Sequence, residues 1–153
     1  MHVSNSVGAA FRRPAVPAVL ALLVLGTLTT ACRQAPPLEA PGLKELNRVS
    51  AGGMTVVMLA SGEALKSGKD TAYLEFRSGT DGRLVDAGTV KVSATMAMQG
   101  MAPMMGSMFV HKTETAGRYL IDTDLGMLGT WQIGVEWDGP AGTGKTMMSG
   151  SVQ

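Results

Sequence analysis

The chain has 153 residues, 16% of them charged, with a formal net charge of +1, one Cys, two His, 20 Gly and 12 Met. This length allows one ordinary domain, or one domain plus a processed leader. There is no basic excess to neutralise nucleic-acid phosphates, no thiol set for a disulfide framework or thiolate zinc cluster, and no His-rich metal site. What stands out is methionine, which globular domains use sparingly.

Residues 1–31 read as an export signal. Arg12 and Arg13 form a positive start, and Ala15 to Leu28 is a largely apolar run. It is too short for a bilayer-spanning helix, which needs about twenty residues, and fits the apolar region of a signal peptide. The run ends in Leu28-Thr29-Thr30-Ala31-Cys32. Small residues just before a cysteine resemble the cleavage site of bacterial lipoproteins, although Thr29 stands where a branched apolar residue is usual. The resemblance implies that Cys32 carries the lipid and begins the mature chain, exposed on the periplasmic side of a membrane or at the cell surface. A plain secretory signal with a spare thiol, or an uncleaved anchor, are the alternatives. Removal of 1–31 leaves 122 residues, with eleven basic side chains against twelve acidic ones, and His111 as the sole histidine.

Residues 32–50 contain Pro36, Pro37 and Pro41 and show little periodicity, so they read as a flexible tether. The domain is expected over 51–153. Seven β-like runs follow one another: 53–60, 70–77, 89–95, 107–112, 118–123, 130–138 and 145–152. The clearest places Trp131, Ile133, Val135 and Trp137 on one face, against Gln132, Glu136 and Asp138 on the other. Ala72, Leu74 and Phe76 likewise alternate with Tyr73, Glu75 and Arg77. Gly-rich turns separate the runs, and no helical period of useful length appears. The expected fold is all-β, an antiparallel immunoglobulin-like sandwich of about seven strands. Alternate loops then share an end. With the tether entering the first of seven strands, the loop between the third and fourth should point away from the anchor.

That loop carries the unusual chemistry. Met96, Met98, Met101, Met104, Met105 and Met108 fall within thirteen residues, Met127 lies in a loop at the same end, and His111 follows shortly after. Thioethers are soft, neutral ligands that suit Cu(I) and disfavour Mg²⁺ and Ca²⁺. They carry no proton to lose and survive where thiols oxidise. These eight residues are the candidate metal ligands, with Met127 and His111 in second place. Met54, Met58, Met147 and Met148 sit in strand-like runs and read as core filler. The alternative for the cluster is an adaptable apolar docking surface for an envelope protein, with no metal.

The stretch Gly79-Thr80-Asp81-Gly82-Arg83-Leu84-Val85-Asp86-Ala87-Gly88-Thr89-Val90-Lys91-Val92 resembles the corresponding segment of YtkA-like domains. Met96 to Met108 takes the place of their Met-rich loop, and Gly117-Arg118-Tyr119 and Gly129-Thr130-Trp131-Gln132-Ile133 follow the same plan. The resemblance spans roughly 52–153. It implies a β-sandwich binding module linked to copper or heavy-metal handling, alone as a lipoprotein or beside efflux or oxidase-assembly proteins, the latter through the related FixH-like proteins. It implies no enzymatic activity. The usual pattern often has a histidine in the Met loop, where Gln99 and Gly100 stand here.

Gly139-Pro140-Ala141-Gly142-Thr143-Gly144-Lys145-Thr146 satisfies the nucleotide-binding pattern G-x-x-x-x-G-K-[ST]. That pattern works only between a strand and a helix, and seven residues leave no room for one. It is expected to be a β-turn, and no nucleotide is expected as a partner. No catalytic constellation is apparent, so no enzyme is expected.

Overall fold

The computed structural model describes residues 42–153. The leader 1–31, Cys32 and residues 33–41 of the tether lie outside the described residues. Eight strands follow one another: β1 (Lys44–Ala51), β2 (Met54–Ala60), β3 (Gly68–Ser78), β4 (Thr89–Met96), β5 (Met104–Lys112), β6 (Arg118–Leu125), β7 (Gly129–Gly139) and β8 (Gly142–Val152). All neighbours pair antiparallel in the order β1-β2-β3-β6-β5-β4-β7-β8.

Strand β5 folds this sheet into two layers. Its first residues, Met104 to Gly106, pair with β4. From Ser107 to Lys112 it pairs with β6. The period-2 alternation read from the sequence supplies the inner faces. Met58, Leu74, Phe76 and Ile121 from one layer meet Trp131, Ile133, Val135 and Trp137 from the other, all buried. Phe76 makes edge-on contacts with Tyr119 within its own layer, 5.4 Å between ring centres, and with Trp137 across the two layers, 5.6 Å. On the opposite side the outer strands approach, and Asn47 Nδ2 of β1 donates to the Ser149 carbonyl of β8 at 2.7 Å. The expected all-β antiparallel sandwich is thus present, with one strand more than expected.

That strand is β1. Residues 44–50 were expected in the tether, because the prolines upstream and a broken alternation hide a strand. The register slips between Glu45 and Asn47, so Leu46 is an extra, bulged residue. The added strand reverses the orientation argument. The chain now enters β1 at the end that also holds segments 61–67, 97–103 and 126–128 and the last residue, Gln153. The loop after β4 therefore lies at the entry end, not away from it. Gly139–Thr146 is the β7–β8 hairpin: Gly139 pairs with Gly142, and Thr143 Oγ1 donates to Asp138 Oδ1 at 2.7 Å.

The opposite end is pinned by Tyr119. Its hydroxyl reaches Asp86 Oδ1 and the Gly88 carbonyl, each at 3.1 Å, and holds the long β3–β4 connection against the sheet. Burial first, and then the Asp86 carboxylate, push the Tyr119 pKa up to about 12. An unfolded tyrosine titrates near about 10, so the neutral phenol's stabilising contribution is whole below that value and fades as pH climbs toward 12. Denaturant unfolding between these pH values should show this alkaline loss, and Tyr119→Phe should reduce it.

Candidate metal centre

The Met-rich stretch divides between strand and loop in a way the sequence does not reveal. Met96 closes β4, and Met104, Met105 and Met108 belong to β5. Only Met98 and Met101 lie in the connection. There Met101 N donates to the Met98 carbonyl at 3.3 Å, and Gly100 between them has φ +75°. A positive φ at the third position is the signature of a type II turn, in which the first and fourth residues are within about 7 Å of each other. The turn therefore sets Met98 beside Met101.

Below it, Met96 and Met104 are direct partners across the β4–β5 ladder. Both are partly buried and pack on the core from its edge. The Met96 methyl reaches across to β7, where Gly129 makes room for it. A Cβ at residue 129 would stand 2.7 Å from Met96 Cε, and the backbone there has φ +128°. Two residues earlier, Met127 is fixed through its carbonyl, which accepts from Trp131 Nε1 at 3.0 Å. Met96, Met98, Met101, Met104 and Met127 thus occupy one end of the sandwich, drawn from β4, β5 and two loops. Gly129→Ala should cost about 1–3 kcal/mol through its strained backbone and displace the Met96 methyl. Thermal unfolding together with Cu(I) affinity would show both effects.

The other three candidates part from this group. Met105 points to the outer face and is 69% exposed. Met108 faces inward, but four residues beyond Met104, about 13 Å along the strand. It packs on the core. His111 is an odd number of residues from Met108 and so faces outward, about 23 Å from Met104 along β5. Its Nε2 lies 3.0 Å from Asp122 Oδ2. His111 thus stands apart from the methionines of the entry end. Of the four methionines read as filler, Met54, Met58 and Met148 are buried, whereas Met147 is 62% exposed on β8.

Chemically, the entry-end group is neutral. Segments 97–103 and 126–128 contain no Asp, Glu, Lys or Arg. Among the described residues no three His, Cys, Asp or Glu side chains gather as a metal site. The donors present there are thioethers, which suit a soft monovalent ion and offer little to a hard divalent one.

The profile of the YtkA-like family matches residues 53–136, and the chain belongs to that family. The match begins after β1 and ends inside β7. Two solved structures bear a looser likeness. The copper resistance protein PcoC of Escherichia coli aligns at 16% identity and a TM-score of 0.38, over 58% of this chain and 86% of its own. A copper-bound variant of FetP from uropathogenic Escherichia coli aligns at 10% identity and a TM-score of 0.40, over 72% of this chain and 90% of its own. No curated protein sequence matches the chain.

Proposed function

We propose that this chain is an exported, lipid-anchored module that binds Cu(I) or a similar soft ion through the methionines of its entry end. The observation that carries this reading is the gathering of Met96, Met98, Met101, Met104 and Met127 from four separate segments at one end, where both Met-bearing loops are uncharged. An ion held by thioethers keeps its Cu(I) state and can be passed on, because each bond is soft and no ligand must be reprotonated for release. The role is delivery or sequestration beside an efflux or oxidase-assembly protein, with the lipid on Cys32, and without enzymatic turnover.

Titration of the purified protein with Cu(I) against a competing chelator tests the reading, and failure to compete overturns it. Affinity should be flat between about pH 5 and 8, the range in which an unperturbed histidine changes charge, and His111→Ala should leave it unchanged. A fall in affinity on acidification, abolished by His111→Ala, would restore the histidine as a ligand.

A second reading has its own support. Met101 and Leu128 are 64% and 63% exposed at the same end, an unusual position for large apolar side chains that neither fill a core nor hold an ion. In that reading the end is an apolar docking surface that works without metal.

A further inference from the structure

The end of the sandwich that carries the methionines is also the end at which the chain arrives from its leader. We infer that this end rests on the lipid bilayer itself, with Met101, Met127 and Leu128 as its contact points. The inference rests on the lipid-anchor part of the function proposed above and is independent of whether a metal is bound.

Three observations combine. The first is topological. With β1 in place, Lys44 begins at the same end as segments 97–103 and 126–128. The second is length. Eleven residues separate Cys32 from Lys44. Covalent geometry limits their reach to about 40 Å. An eleven-residue strand such as β7 is itself about 36 Å long. The entry end is thus tied within about 40 Å of the lipid-bearing Cys32, and the far end stands a further strand length from the point of attachment. The third is surface chemistry. Both segments at the tip lack charged side chains, and Met101, Met127 and Leu128 are exposed there. The charges at this end lie in the neighbouring segment 61–67, where Glu63 is paired with Lys44 at 2.9 Å and Lys66 is exposed, while Leu65 is buried. Contact of segments 97–103 and 126–128 with lipid therefore strips water from apolar side chains and from no charged one, the favourable direction for interfacial binding.

A bilayer is the occupant these observations favour over a protein. The anchor alone brings lipid to this end, and segments 97–103 and 126–128 offer no charged side chain through which a specific protein would be recognised. The consequence for a bound ion is lateral delivery, with exchange at the membrane plane and not in the open periplasm.

The test uses the lipidated mature protein in protein-free phosphatidylcholine vesicles containing acyl-chain quenchers. A fluorophore is placed at Gln99→Cys in the tip or, separately, at Ala141→Cys in the β7–β8 turn at the far end. Loss of fluorescence at 99 and none at 141 is expected. Met101→Ser with Leu128→Ser should abolish the loss at 99 while the β-sheet circular dichroism is retained, since both side chains are exposed. Equal signals at the two positions, with the lipid confirmed by mass, overturn the inference. So does a probe at 99 that is shielded in native membranes but not in protein-free vesicles, which would make the tip a protein-docking face. A mature chain with no lipid on Cys32 removes both the anchor and this inference, and leaves the Cu(I) titration to judge metal binding separately.

Discussion

Replacing Met96, Met98, Met101 and Met104 together with leucine is expected to weaken Cu(I) binding by at least about 100-fold, the upper range seen when even the supporting groups of a metal site are lost. Leucine is close to methionine in volume and polarity, so the fold should lose less than about 1.5 kcal/mol per buried site. The comparison that gives the result meaning is the converse variant, with Met54, Met58, Met147 and Met148 changed to leucine. Three of those four are buried and the fourth is exposed on β8, and none lies at the entry end. That variant should keep Cu(I) affinity within about threefold, a difference of less than about 0.7 kcal/mol by the binding arithmetic. Competition titration reads both variants. Equal loss in the two would mean that bulk methionine content, and not position, sets the binding. Single substitutions should rank by geometry. Met105→Leu, on the outer face, is expected to be silent. Met98→Leu and Met101→Leu, paired across one turn, should each do measurable harm.

The sandwich was legible because burial on one face of each strand leaves a period of two. Trp131, Ile133, Val135 and Trp137 all fall in the core as their alternation requires. Strand β1 was not legible, because its bulge at Leu46 breaks that period and its neighbours upstream are prolines. The resulting error was one of geometry. One missed strand inverted the orientation of the Met-rich end relative to the chain's entry. The division of the methionines into strand and loop was equally hidden. Met104 to Met108 alternates only Met, Gly and Ser, and nothing in hydropathy marks where β5 begins. A usable signal was available, since Gly106 and Met108 lie on the parity that continues inward to Val110. Glu75 was the other omission. Its place in the alternation puts it on the outer face, and a lone acidic residue in a strand reads as solvated.

Glu75→Ala should be the most destabilising single substitution outside the apolar core, by about 3–5 kcal/mol, the usual result of removing one member of a buried ion cluster. Although it faces outward from β3, Glu75 is completely buried. Arg77 Nε donates to its Oε2 at 2.9 Å, and Arg118 Nε donates to its Oε1 at 2.8 Å, each guanidinium supplying a second bond through Nη2. Both arginines are themselves largely covered, with side chains 13% and 14% exposed. Each carboxylate oxygen thus has a charge-assisted, two-point partner. Without the carboxylate, two like charges would be held together on a low-dielectric face next to Val57, which sits opposite Glu75 in the β2–β3 register and is fully buried. Glu75→Gln preserves the shape and some hydrogen bonding but not the charge, so it should fall between wild type and Glu75→Ala. Chemical denaturation of the three proteins at one pH would establish the order. A Glu75→Gln protein as stable as wild type would mean that the cluster acts by hydrogen bonding and packing, and that its charge adds nothing. Cu(I) affinity should be unchanged in every folded variant. Glu75 pairs with Arg118 at the start of β6, seven residues before the Leu125 end where the methionines gather, about 23 Å away along the strand.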